Sequence, residues 1–510
     1  MEAESSRVEF VEENGIKVRV EHNHDKPGKC KTFFNPKMKI CRELVVSALA
    51  AMIDSTDRKL PLQALDSFGA TGILGMLLKA KFGDNVDVSI NDLDPVSMEN
   101  IKVNCQENNL KVKDGGQGQI EVINLDARIL LHQRQYDFVC LDPYGTVAPF
   151  LDPVFHNVRN KGVVVLVSTD VAGIYGKFPN VAERNYGSYL VKTDYFKELA
   201  ARVVIGAAMR SAARCNKGLE VLCTVAVEHF VLTVVKICRG PTHADRCLPK
   251  VHKLIHCHMC QDRAFYPETH TPIENPYSLL QCVCKQENLG KTAVELGPFW
   301  SGPLYNTEYL HHMLQSAHNL QFSQRLKSLL ETLIVESLCL GKTYKMPSFD
   351  KPKNQNRQAT EDNSSISNSE SNELCHKDVQ SLEQNSTSST QGNSDKTDIN
   401  NANGETDEGS HQTSNGGKRP LEKDDSSTES KTKKLKLDVG SNGLDMPLFF
   451  QNVHTMMLKG CDLPKANKLV AMLHTEGYRA ARTHFEPHAV RTNATLTQLA
   501  DIIKRHWPSK

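Results

Sequence analysis

Several things are missing from this 510-residue sequence, and each absence removes a class of protein. No run of apolar residues approaches the roughly 20 that cross a bilayer as a helix, so a helical membrane protein is excluded. The start, Met1-Glu-Ala-Glu-Ser-Ser-Arg7, is acidic and polar and lacks the basic and apolar regions of a secretory signal. A soluble chain in a reducing, intracellular compartment is therefore expected. Excess charge is missing too: 61 Lys+Arg stand against 60 Asp+Glu, a net of +1. Any grip on a polyanion must come from local basic patches rather than from a global field. The Gly-x-Gly-x-x-Gly spacing of dinucleotide-binding folds is absent, which argues against a dehydrogenase. Cysteine is plentiful at 15, but the chain is not the small secreted kind in which that number means disulfides. Many of these cysteines sit in apolar runs or close pairs, which fits buried thiols and a metal site.

What is present reads as an α/β chain. Val8 to Val20 alternates apolar and polar residues around Asn14-Gly15, the pattern of a hairpin, here a packing element. Phe33 to Leu44 leads into an apolar helix over Val45 to Ile53, with Arg42 near its start, able to reach an anionic ligand group or to remain a solvated surface residue. Leu62 to Asp66 is a strand, followed by a turn with Gly69 and Gly72 and a helix from Ile73. Glycines there let backbone approach a ligand, and the helix start favours negative charge. About twenty residues on, the strand Val86 to Asn91 ends in Asp92, where a carboxylate can accept both hydroxyls of a ribose. A helix capped by Asp94 follows. Ile120 to Leu125 ends in Asp126-Ala127; this acid is placed either beside an adenine or as a helix cap.

The fourth strand, Tyr136 to Leu141, ends in Asp142-Pro143-Tyr144-Gly145. That sequence delivers a carboxylate, a stiff turn and a flat ring to one point on the carboxyl edge of a sheet, where open α/β sheets bind ligands. An acid can accept N–H bonds from an exocyclic amine while the ring stacks on a base. The combination points to a methyl-acceptor site for a nucleobase amine, the alternative being a strand with a proline turn. Acids closing three successive strands behind a glycine turn lay out a cleft for an adenosine-bearing cofactor whose reactive end meets Asp142. A fifth strand over Gly162 to Ser168, a helix over Asp194 to Arg214 and an antiparallel pair over Leu219 to Val227 and Phe230 to Ile237 complete this part.

Cys257-x2-Cys260 and Cys282-x-Cys284 are two knuckles about twenty residues apart, suited to one tetrahedral structural zinc. Free buried thiols are the alternative, and Cys247, His256 or His258 are candidate substitutes in the ligand set. From about Pro347 to Asn442 the composition is polar with almost no aromatics, too poor in apolar surface to fold. Lys418-Arg419 and Lys431-Thr-Lys-Lys-Leu-Lys436 inside it read as a bipartite nuclear-import signal or as a solvated charged tract. An amphipathic helix is expected over Leu463 to Leu473. Arg479, Arg482, His484, Phe485 and Arg491 then offer charges and rings to an RNA backbone, unless those rings form the core of a small domain.

Together, Phe34-Asn-Pro36 with Arg42, Gly69-Ala-Thr-Gly72, Asn91-Asp92, Asp126-Ala127, Asp142-Pro-Tyr-Gly-Thr146 with Phe150-Leu-Asp152, Thr169-Asp170 and Gly477 to Phe485 resemble the tRNA guanine-26 N2-dimethyltransferase family, in particular its vertebrate "like" branch. The resemblance covers about residues 8 to 345 and 446 to 510. It implies a Rossmann-like, S-adenosylmethionine-dependent methyltransferase domain over 33–240, preceded by the hairpin region 1–32. It implies a second, zinc-containing α+β domain over 241–346, interrupted by a disordered insert at 347–445 and completed by a tRNA-binding part at 446–510. Arg42, Asp92, Asp126 and Ala127 would contact the cofactor, and Asp142 would face a guanine amine. Products would be N2-methyl- and N2,N2-dimethylguanosine at guanine 26 or a neighbouring position, made by a monomer in the nucleus or nucleolus. Leu74 stands where the family commonly has Arg, and Tyr144 where Phe is usual. The first departure keeps open a catalytically weak relative acting as a tRNA-binding or folding factor.

Overall fold

The structure, a computed structural model, describes residues 8–21, 33–113, 119–267, 273–287, 290–340, 449–454 and 463–507. The hairpin is formed: β1 (Val8–Glu13) pairs antiparallel with β2 (Ile16–Glu21). Ile16, Val18 and Val20 are buried. The side chains of Asn108 and Asn104 accept from the backbone of Lys17 and Arg19 at 2.9 and 2.8 Å.

Seven strands build the main sheet: β3 (Leu62–Asp66), β4 (Val86–Asn91), β5 (Ile120–Ile123), β6 (Phe138–Leu141), β7 (Val163–Ser168), β8 (Lys217–Val227) and β9 (Phe230–Arg239). Their order is β5-β4-β3-β6-β7-β9-β8. The first five strands in that row are parallel, and β9 runs antiparallel between β7 and β8. Every residue of β6 and β7 is buried, because crossover helices cover both faces of a parallel sheet, and their unbroken apolar runs are the sequence mark of that position. From β3 the chain moves outward to β4 and β5, then returns to β6 on the other side. The crevice between the carboxyl ends of β3 and β6 is thus the topological switch point.

The expected helix before β3 runs Lys39–Ser55 and starts earlier than the apolar run suggests. Asn35 and Pro36 set up a 3-10 turn ahead of it, with the Asn35 side chain accepting from Lys37 N at 2.9 Å. Arg42 consequently lies inside the helix. The glycine turn owes its composition to packing as much as to any ligand. A Cβ on Gly69 would meet Ile90 of β4 at 2.5 Å, and Gly72 has φ +80° at the start of the helix Ile73–Phe82.

Beyond β9, β10 (Val251–Cys257), β11 (Arg263–Phe265) and β12 (Ala293–Trp300) form an antiparallel sheet in the order β11-β10-β12. Two helices follow, Thr307–Asn319 and Gln324–Leu340. The last part has β13 (Phe450–Asn452), β14 (Ala480–Arg482) and β15 (Ala489–Thr492) in the order β13-β15-β14, with helices Ala466–Thr475 and Leu496–His506. The boundary expected near residue 240 is a change of sheet but not of core. One hydrophobic cluster runs from the main sheet through Tyr309 and Leu333 to Phe450 and Phe485, and Tyr309 Oη donates to the carbonyl of Ala48 at 2.5 Å. The insert expected over 347–445, with both basic clusters, lies outside the described residues.

Candidate active site

Asn91, at the end of β4, stitches the carboxyl edge together. Its Nδ2 donates to the carbonyls of Ser67 and Leu125 at 3.1 and 3.0 Å, and its Oδ1 accepts from Leu125 N at 3.2 Å. The chain segments leaving β3, β4 and β5 are thereby held side by side. Along that edge Asp92 accepts from Ala70 N at 2.8 Å and Asp94 N at 2.9 Å, which orients its carboxylate beside the glycine turn. Asp126 accepts from Arg128 N at 2.8 Å and pairs with the Arg128 guanidinium at 2.5 Å. The capping role considered for it is therefore real. The side-chain hydrogen bond from Arg128 holds its carboxyl below the usual range, so its charge is already answered, and the backbone of buried Ala127 is the other polar group at that position.

Asp142 stands at the end of β6, partly exposed, beside buried Pro143. Burial of its carboxyl and then the charge of Asp66, opposed by Arg42, together raise its pKa from 3.8 to about 7. Asp66, at the end of β3 and 2% exposed, is also raised to about 7, by burial against backbone N–H bonds from Gly75 and Phe68, with Asp92 adding to the rise. Asp66 was overlooked as a site residue. It obeys the same rule as the three acids singled out, a carboxylate closing a parallel strand, and it occupies the switch point itself.

Arg42 is the cation of this cleft, and it is buried. Its Nε and Nη2 donate to Glu13 at 2.7 and 2.6 Å, and Nη2 also reaches the carbonyl of Asn35 at 3.3 Å. Two of its three nitrogens are thus committed to the protein. The hairpin expected only to pack carries, in Glu13, the partner that fixes this guanidinium; nothing local in the sequence signals a contact 29 residues away. Leu74, where the resemblance implies an arginine, is buried, so that position contributes packing and not charge.

Tyr144 is 82% exposed. Its ring meets the edge of Phe33 at a centroid distance of 6.4 Å. A phenol ring presented to solvent next to a carboxylate is a stacking platform for a flat, hydrogen-bonding ligand.

The cleft fits an adenosine-bearing sulfonium cofactor on three observations. Ser67 Oγ is buried at the end of β3 without a hydrogen-bond partner, a donor that a ligand would satisfy. Asp92 is held in place for ribose hydroxyls, and Asp66 and Asp142 supply the negative potential a sulfonium favours.

The four knuckle cysteines converge: the Sγ atoms of Cys257, Cys260, Cys282 and Cys284 all lie within 4.8 Å of one another. A tetrahedral zinc with bonds of about 2.3 Å needs sulfurs roughly 3.8 Å apart, so a small contraction completes the site. Asp262 ties the two knuckles. Its backbone carbonyl accepts from Cys257 N at 2.8 Å, and its carboxylate accepts from Gln281 N and Cys282 N at 2.8 and 2.9 Å. Of the alternative ligands, Cys247 donates to the Leu219 carbonyl and His256 Nδ1 bonds the Tyr195 hydroxyl at 2.8 Å, and the four cysteines converge without His258.

The expected RNA contacts divide. Arg491 is fully buried and bonded to Glu198 and Glu336. Phe485 is fully buried and stacked on Phe450. The ring of His484, 1% exposed, bonds Glu336 at 2.9 Å. These three belong to the interior and join the last part of the chain to the rest, which corrects their reading as RNA ligands. Arg482 is exposed and Arg479 half-buried.

The family model described as N2,N2-dimethylguanosine tRNA methyltransferase matches residues 13–368 and 418–504. The Bos taurus protein named tRNA (guanine(27)-N(2))-dimethyltransferase is 39% identical over 516 residues, covering 98% of this chain and 63% of that protein. The tRNA (guanine(26)-N(2))-dimethyltransferase of Methanobrevibacter smithii is 26% identical over 335 residues, covering 65% of this chain and 82% of that one. Among solved structures, Trm1 from Pyrococcus horikoshii in complex with S-adenosyl-L-methionine aligns with a TM-score of 0.64 at 19% identity, over 97% of this chain and 99% of that chain.

Strand order, edge acids and this likeness define a Rossmann-like methyltransferase fold. Within that class, the chain belongs to the N2,N2-dimethylguanosine tRNA methyltransferase family. It spans about 63% of the length of the bovine relative it matches. Among the described residues no helix is long and apolar enough to cross a membrane.

Proposed function

We propose that this protein is an S-adenosylmethionine-dependent enzyme that methylates the exocyclic N2 of a guanine in tRNA, at position 27 or the adjacent 26, giving N2-methyl- and then N2,N2-dimethylguanosine. The observation that carries the reading is Asp142 with its pKa near 7 beside the exposed ring of Tyr144, at the switch point of this fold. The names of the mammalian relatives favour position 27.

Arg42, Asp92, Asp126 and Ala127 would hold the cofactor along the strand ends, with Ser67 and Asp66 beside them; when bound it supplies an electrophilic methyl group. The guanine N2 lone pair is delocalised into its ring. Asp142, accepting an N–H of that amine, localises the pair along the line of attack and is basic enough near neutrality to take the proton released as the new N–C bond forms. Pro143 fixes the backbone between acid and ring, and Tyr144 holds the base by stacking. A guanine inside a folded tRNA must leave its stack to reach this point, and exposed Arg482 is one candidate contact for the flanking backbone. All these side chains come from one chain, so the reading requires only a monomer. The four cysteines would brace β10 to β12 around a structural zinc. The basic clusters at 418–419 and 431–436 support nuclear residence.

A binding or folding factor without catalysis is the reading that Leu74 could favour. The intact row of acids favours the enzyme instead. The deciding experiment gives purified protein a tRNA carrying guanine at 26 and 27, with cofactor labelled in its methyl group. Transfer to N2 by the wild type and its loss in Asp142→Ala are expected. Absence of transfer by the wild type, or transfer by the variant within a few-fold, defeats the assignment.

A further inference from the structure

The loop that carries Tyr144 is held by a chain of polar groups that the reaction as described does not use. Tyr186, from the helix Pro179–Tyr186 that follows β7, is 1% exposed. Its hydroxyl lies 3.0 Å from both carboxylate oxygens of Asp170, 2.8 Å from Thr146 Oγ1 and 3.3 Å from Ser168 Oγ. Thr146 Oγ1 in turn accepts from Ala148 N at 3.2 Å. Next to it, Gly145 N donates to Thr169 Oγ1 and Thr169 N donates to the Gly145 carbonyl, both at 2.8 Å.

The hydrogen inventory orders these contacts. Asp170 as a carboxylate only accepts, so it takes the single phenol proton of Tyr186. The Tyr186 oxygen is then an acceptor for the Thr146 hydroxyl, whose own lone pairs remain for Ala148 N–H. The result is a one-directional chain from the first turn of the helix Ala148–Asn157 through Thr146 and Tyr186 to Asp170. It ties Thr146, at the end of the segment Asp142-Pro-Tyr-Gly-Thr146, to Asp170 just beyond β7. A buried tyrosine hydroxyl committed to three side chains is a costly arrangement unless all are satisfied. It anchors the backbone next to the exposed Tyr144 ring.

We propose that Tyr186, acting through Thr146 and Asp170, is a positioning residue that sets the Asp142–Tyr144 acceptor loop against the target guanine. This rests on the function proposed above. An error of about 1 Å in a reacting group can cost on the order of a hundredfold in rate, so loss of the hydroxyl is read in turnover before it is read in binding.

The test is Tyr186→Phe, which keeps the ring in the core, together with Thr146→Val and the double variant. Expected for Tyr186→Phe are a fall in kcat of about ten- to a hundredfold, cofactor affinity within about twofold of wild type, and faster amide hydrogen exchange in the peptide spanning 142–147. The double variant falls no further than the worse single one, because both changes cut the same chain. Exchange needs no turnover, so it reports on the loop even if the wild type methylates nothing. Unchanged exchange at 142–147, or turnover within twofold, overturns the proposal, as does equal loss of kcat and cofactor affinity, which would mark Tyr186 as a general fold residue.

Discussion

Arg491 and Glu336 meet at 2.7 Å with both side chains wholly shielded from solvent, and the same Nη2 of the guanidinium holds Glu198 at 2.9 Å. The strand β15 is thereby locked to the helix Gln324–Leu340 and to the helix Phe196–Arg214 behind the main sheet. Burial alone would push Glu336 up, but the charge of Arg491, and after it His484, holds it down at about 2. Removing the arginine would take from two buried carboxylates the cation they share, leaving Glu336 to His484 and Glu198 to Arg202. Arg491→Ala is expected to cost about 3–5 kcal/mol in urea unfolding. The salt dependence of tRNA binding should keep its slope, since no phosphate contact is lost. A shallower slope with unchanged stability would return Arg491 to the RNA surface.

Asp66 and Asp142 answer to pH. Both are acids raised from 3.8 to about 7, so the folded protein holds these protons more tightly than the unfolded chain. They contribute a fall in stability as pH rises between those values and no further change above about 7. The rate needs Asp142 ionised, so methyl transfer should climb through pH 7. Because the charge of Asp66 is part of what raises Asp142, Asp66→Asn should move the midpoint of the kcat profile down. A midpoint that stays or moves up would show that Asp142 does not govern the step.

Metal content tests the knuckles. Purified protein should carry one zinc per chain, and chelation should loosen β10 to β12 first, because the ligands supply much of what holds that small cluster together. Hydrogen exchange of residues 251–300 before and after chelation reads this directly. Less than half an equivalent of zinc, or unaltered exchange, would leave the four cysteines as ordinary thiols.

Local pattern carried the frame of this protein. Apolar runs such as Phe138 to Leu141 and Val163 to Val167, each entirely buried, announce central parallel strands because such strands meet helices on both faces. An acid following each run must then fall on the carboxyl edge, so Asp92, Asp126 and Asp142 could be placed from their positions alone. The cysteine pairs were legible for the same reason, since ligand spacing is a local property. Which charges face solvent was decided only by the tertiary structure. Arg491 and Arg482 look alike in sequence, yet one is wholly buried between carboxylates 293 and 155 residues away and the other is exposed. Glu13 could not be recognised as the partner of Arg42, nor Tyr186 as the brace of Thr146, because periodicity tells which face of an element turns inward and says nothing about which distant element it meets there.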